Sequence, residues 1–111
     1  MSVTNKVLIA SKEMEAVQTV QYTAPSTSRA VIDKFTATNT SGSVATLSVN
    51  LIIGGGSASN SNLIIDATEI GVGETYECPE LIGHTLEALG IISTLGTASA
   101  LTIRCSGREV S

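Results

Sequence analysis

The sequence predicts an all-β fold, an antiparallel β-sandwich of about eight strands with jelly-roll-like wrapping. Three observations carry this expectation. Short stretches alternate apolar and polar residues at a period of two, as half-buried strands do. Gly, Ser, Asn and Pro clusters separate those stretches at roughly even spacing. The single helix-like pattern, Pro79 to Leu89, is interrupted by Gly83 and closed by Gly90.

Taken in order, Lys6 to Ser11 reads as a short first strand or as an arm that docks on a neighbour, and Lys12-Glu13-Met14-Glu15 breaks it with charge. The expected organisation is therefore an N-terminal arm or first strand over residues 1–12 and one sandwich domain over 13–111. Val17 to Ala24 alternates, with Val20, Tyr22 and Ala24 on one face. Pro25-Ser26-Thr27-Ser28 is a turn, because Pro cannot continue a ladder.

Arg29 to Ile53 reads as one long hairpin, with Asn39-Thr40-Ser41-Gly42-Ser43 at its tip. Phe35 and Ala37 face inward in the first arm, and Ala45, Leu47, Val49, Leu51 and Ile53 in the second. Ile32 and Phe35 are three apart, so a bulge is expected at Asp33-Lys34.

Gly54 to Ser61 is a flexible loop by composition. Asn62 to Thr68 and Glu74 to Glu77 are strands around a Gly71-Val72-Gly73 turn. In the helix-like stretch, Leu81, Ile82, Leu86 and Leu89 share a face over a turn or two at most. Ile91 to Leu95 and Ala100 to Ser106 form a last hairpin, with Leu101, Ile103 and Cys105 inward.

Alternation fails toward extra apolar residues at Leu51-Ile52-Ile53, Leu63-Ile64-Ile65 and Ile91-Ile92. Either a local bulge or cover by the Pro79–Leu89 stretch hides one isoleucine of each pair, or an outer face meets another subunit. On the second reading the contact residues are Val7, Leu8 and Ile9 in the arm, with Ile52 and Ile64 pointing outward.

Composition narrows the function classes. A chain of 111 residues can bury roughly two-thirds of its unfolded surface. Its apolar content of 42% and positive mean hydropathy exclude a disordered chain. Ser and Thr together number 28, so the polar surface is mostly hydroxyl and backbone, which suits a surface pressed against other protein.

The net charge is −4, and no Lys or Arg occurs from Phe35 through Ile103. Phosphate neutralisation needs those cations, so no nucleic-acid partner is expected. The three aromatics, Tyr22, Phe35 and Tyr76, are too few for a base-stacking platform and a thin supply for a sugar-binding face. The N-terminal apolar run is too short for a signal-peptide core, and no stretch approaches membrane-spanning length. Synthesis in a cytoplasm, no membrane partner and reduced thiols are the expectation.

Candidate chemistry is sparse. His84 is the single histidine, and no Gly-x-Ser-x-Gly elbow accompanies the many serines. Cys78, Glu80 and His84 are close in sequence, but zinc needs more ligands than they offer, and Cys105 is remote. Gly54-Gly55-Gly56-Ser57 lacks the Gly-Lys-Ser/Thr ending of a phosphate loop. The acidic residues from Asp66 to Glu87 lack the spacing of a calcium loop. No catalytic residue, metal or cofactor is expected.

Three blocks carry a family likeness: Ile32 to Gly42, Gly73 to His84, and Leu101 to Val110. With them the chain, from about Tyr22 to its C-terminus, resembles the capsid decoration (staple or cement) proteins of epsilon-fifteen-like short-tailed bacteriophages. The resemblance implies a jelly-roll sandwich that sits as a homodimer on the outside of an icosahedral shell and pins neighbouring subunits of the major capsid protein. It implies a virion location and transfers no functional residue, because the matching blocks are turns and strands. The alternatives are a tail, neck or fibre component of the same virion, or a carbohydrate-binding receptor module.

Overall fold

In the computed structural model, which describes residues 2–111, strands equally far from the middle of the chain find each other. β1 (Val3–Glu13) pairs with β9 (Leu101–Val110), and β2 (Thr19–Thr23) with β8 (Ile91–Gly96). β3 (Arg29–Asn39) pairs with both β6 (Thr75–Tyr76) and β7 (Thr85–Leu86), and β4 (Ala45–Ile52) with β5 (Leu63–Ile70). Two further ladders, β3 with β9 and β4 with β8, join these pairs into sheets.

The first sheet runs β1-β9-β3, with β6 and β7 sharing the far edge of β3; the second runs β2-β8-β4-β5. Every ladder is antiparallel. This is the jelly-roll wrapping of a β-sandwich. β6 and β7 are two-residue strands that together fill one position, so nine strands occupy eight places.

The topology corrects two expectations. Arg29 to Ile53 is not a hairpin, because β3 lies in the first sheet and β4 in the second. Alternation identifies a half-buried strand but says nothing about its partner. The connecting turn is an arch held by Asn39, which is 1% exposed. Its Oδ1 accepts from the backbone N–H and the hydroxyl of Ser41, and its amide donates to Ser43 O at 2.8 Å. The last pair of strands does the same: β8 and β9 belong to opposite sheets, so Gly96 to Ala100 is also a crossing. The true hairpin of the second sheet is β4–β5, around the Gly-rich loop.

The core fills the space between the sheets. Phe35, Ile32, Leu47, Leu81, Ile92, Leu101 and Ile103 are its largest aliphatic and aromatic side chains, joined by Met14. Phe35 pairs with Cys105 and Ala37 with Ile103, so the inward rows of β3 and β9 are those the alternation marks. A register shift between Ile32 and Lys34 places the bulge at Asp33. A second shift between Val20 and Tyr22 turns Val20 out to 55% exposure while Tyr22 and Ala24 stay buried. Interdigitated packing of this kind makes a stiff body.

Cys78 to His84 forms hydrogen-bonded turns rather than a helix. Leu81 and Leu86 are buried, whereas Ile82 and Leu89 are exposed, so the expected shared face does not exist. The backbone of Gly83 and His84 bonds to Ile32 and carries the β3–β7 ladder onward, and that bonding outcompetes a local helix.

Candidate functional site

The N-terminal segment is a strand of the domain. Leu8 and Ile9 are 6% and 3% exposed and belong to the sandwich core, so they are not free for a neighbour. Val7 is 42% exposed on the edge strand.

Ile52 and Ile64 also depart from expectation. Ile52 does point away from the core, opposite Ile91, but it is 4% exposed. The Gly-rich loop folds back over it: a β-carbon on Gly56 would lie 3.1 Å from Ile52 Cγ2. Ile64 is the extra residue of a bulge, since Val49 pairs with Ile65 and Asn50 with Leu63. The bulge leans Ile64 against the core. Ile53, read as inward, lies beyond the end of β4 and is 79% exposed.

The Gly-rich loop is pinned. Asn50, 4% exposed, donates to Asn62 Oδ1 at 2.7 Å and to Ser59 O at 3.1 Å. Asn62 donates in turn to Ser57 O at 2.9 Å. Between this loop and Gln18 lies a shallow polar cleft of about 300 Å³, lined by Ser48, Asn50, Asn60, Asp66 and Leu95 among others. Amides and hydroxyls dominate the outer face of the second sheet.

The outer face of the first sheet differs in charge. All six cations of the chain sit on the long strands of this sheet. Arg29 and Lys34 on β3 and Arg104 and Arg108 on β9 take the outward rows, whereas Lys6 and Lys12 on β1 stand opposite Gly107 and Ile103 in the inward rows at the sheet's edge. Three acids share those strands, Glu13, Asp33 and Glu109; the rest of the chain holds seven acids and no cation. The molecule is therefore polarised across its thickness.

Some cations are already paired. Arg108 grips Asp33 through two nitrogens at 3.0 Å, which raises the guanidinium pKa. Lys12 bonds Glu15 at 2.8 Å and, with Gln21, holds that carboxyl down at about 2. Lys34 and Glu77 are 3.5 Å apart on exposed side chains, a weak pair. Among the described residues, Arg29 and Arg104 have no carboxylate partner. Arg104 lies mid-face, level with Thr36 on β3, and donates to Ser11 Oγ at 3.3 Å.

The sequence contains the signal for this face, a long run without Lys or Arg. Its spatial meaning needs the topology, which brings both cation-bearing ends of the chain into one sheet.

The residues weighed for chemistry do not converge. His84 is exposed and Cys78 is fully buried. Glu80 accepts a hydrogen bond from Tyr76, whose phenol burial and that carboxylate push up to about 12. Among the described residues no three of His, Cys, Asp and Glu gather as metal ligands. Cys78 and Cys105 are both free thiols. β3 lies between β9 and the segment that carries Cys78, which puts two strand spacings between them and beyond the span of a disulfide. No family model, curated protein or solved structure matches the chain.

Proposed function

We propose that the protein is a non-enzymatic virion component that decorates the outside of an icosahedral phage capsid and stabilises it by pinning neighbouring subunits of the major capsid protein. The observation that carries this reading is the partition of charge between the two sides of a stiff sandwich. The cationic, threonine-bearing face of the first sheet suits an acidic shell, and the acidic remainder turns to solvent.

Thr36, Thr38 and Thr102 alternate there with Lys34 and Arg104, giving a flat face of hydroxyls and cations. Single contacts of this kind are modest. Repetition by shell symmetry and linkage of copies make the sum tight. The family likeness in the turns and strands points the same way.

The test is to strip the protein from particles, add it back purified, and follow the temperature at which shells burst. Saturable rebinding that raises that temperature, weakened by salt, is the expected result. Failure to bind shells, or labelled protein found only at the tail or neck, overturns the proposal.

A further inference from the structure

Each sheet of a sandwich ends in two edges, and unpaired edge strands invite another chain unless something blunts them. Three of the four edges here are blunted. β2 has a register shift at its middle, β5 is bulged twice against β4, and β6 and β7 are two residues each with turns between them. β1 is bulged after Val7 and again before Lys12, but from Val3 to Val7 its register with β9 is unbroken.

The direction of the unpaired groups follows from one bonded pair. Ser2 and Ser111 exchange both backbone hydrogen bonds, at 3.1 and 2.9 Å. Bonded and non-bonded pairs alternate along an antiparallel ladder. Thr4 and Lys6 therefore also bond toward β9, and the N–H and C=O groups of Val3, Asn5 and Val7 face the open edge. Val3 and Val7, 54% and 42% exposed, point to the same face of the sheet as Asn5.

From this geometry we propose that the Val3–Val7 edge pairs antiparallel with the same edge of a second copy, about a two-fold axis through Asn5. In that register Val3 meets Val7 of the other copy, Asn5 meets Asn5, and about six backbone hydrogen bonds form. Valine covers valine twice, and Lys6 lies opposite a threonine rather than a lysine. The bulge at Leu8 ends the flat stretch, and the two-fold closes on itself, so the product is a dimer with one continuous sheet and not a fibre. This inference deepens the function proposed above by naming the surface for self-association.

The experiment is read in solution, without shells, so its failure leaves capsid attachment standing and the reverse also holds. The protein is expected to sediment at twice its 11.4 kDa mass. Asn5→Pro removes an N–H from the open edge but none from the β9 ladder, and is expected to sediment as a folded monomer.

Cysteine cross-linking fixes the register independently of that variant. Opposed residues in a bonded pair have Cα atoms about 5.5 Å apart, within disulfide span. Asn5→Cys is expected to oxidise to a covalent dimer. Val3→Cys and Val7→Cys are each expected to stay uncrosslinked alone and to join when mixed; the native thiols are buried and silent. A wild-type protein monomeric at all concentrations, a dimeric Asn5→Pro, or Val3→Cys cross-linking alone as fast as the mixture would each overturn the pairing.

Discussion

The side-chain amide of Asn39 donates a 2.9 Å hydrogen bond to the main-chain carbonyl of Ile70. That bond joins two crossings at the same end of the sandwich: the arch from β3 to β4, and the passage from β5 to β6. The backbone of Asn39 reinforces it, donating to Glu74 O at 2.9 Å and accepting from Gly73 N at 3.0 Å.

Asn39→Ala would leave the carbonyl of Ile70 and the N–H of Ser41 without their side-chain partner, and the carbonyl of Ser43 with the Ser41 hydroxyl alone. A buried polar group left unsatisfied costs about 1–3 kcal/mol, so a loss of about 2–4 kcal/mol is expected from urea unfolding. Asn39→Asp should be no better at neutral pH, because a carboxylate cannot donate to either carbonyl. An Asn39→Ala variant with an unchanged urea midpoint would remove this side chain from the account of the arch.

Asn50 has a comparable position on the outer face, but its amide donates to a single loop, while its Oδ1 accepts from Gln18 at 3.3 Å. Asn50→Ala is expected to release the Gly54–Asn62 loop and uncover Ile52, with a global loss of only about 1–2 kcal/mol. Limited proteolysis reads this directly, as cleavage between Gly54 and Ser61 should accelerate well before the domain unfolds. Equal cleavage rates in the variant and the parent protein would mean that the loop is held by something else.

These two asparagines show where sequence reading stops. Strand faces were legible because Phe35, Ala37, Leu101, Ile103 and Cys105 obey a period of two that burial enforces. Strand partners were not, since the β3 and β4 patterns serve a hairpin or an arch equally well. The choice rests on Asn39, a turn residue whose burial no local pattern reveals. The outward direction of Ile52 was legible but its cover was not: a Gly/Ser/Asn loop looks flexible by composition, and the bonds from Asn50 and Asn62 bring it down over that side chain. The cationic face was half legible, as a gap in the Lys and Arg distribution whose geometry depends on β1, β3 and β9 being neighbours.

Arg104 provides a test of that face. It is exposed and bonds only to Ser11 Oγ among the described residues, so Arg104→Glu should leave thermal stability within about 0.5 kcal/mol of the parent. If the face docks on an acidic shell, the reversal should weaken shell binding at least about tenfold in roughly 0.1 M salt. The difference should shrink in roughly 1 M salt, where the screening length falls to about 3 Å. Co-sedimentation with stripped shells at the two salt concentrations measures both. Unaltered binding at low salt would take the cationic face out of the interface.

The thiols set the behaviour at high pH. Cys78 and Cys105 are fully buried, and burial pushes each pKa from an ordinary 9 up to about 12. Below pH 9 both folded and unfolded chains keep these protons, and the thiols have no effect on stability. Between about 9 and 12 the unfolded chain releases protons that the folded one retains, so stability falls as pH rises, by up to ~1.4 kcal/mol per pH unit for each thiol. Tyr22, raised by burial and by its 2.5 Å bond to Glu109, adds to the decline above its ordinary 10. Urea midpoints should therefore hold near pH 8 and drop steeply toward pH 11, and the Cys78→Ala, Cys105→Ala double variant should show a shallower slope whatever its starting stability. The same burial predicts that a thiol reagent near pH 8 labels both cysteines no faster than the domain opens. Rapid labelling of either residue in the folded protein would contradict its place in the core.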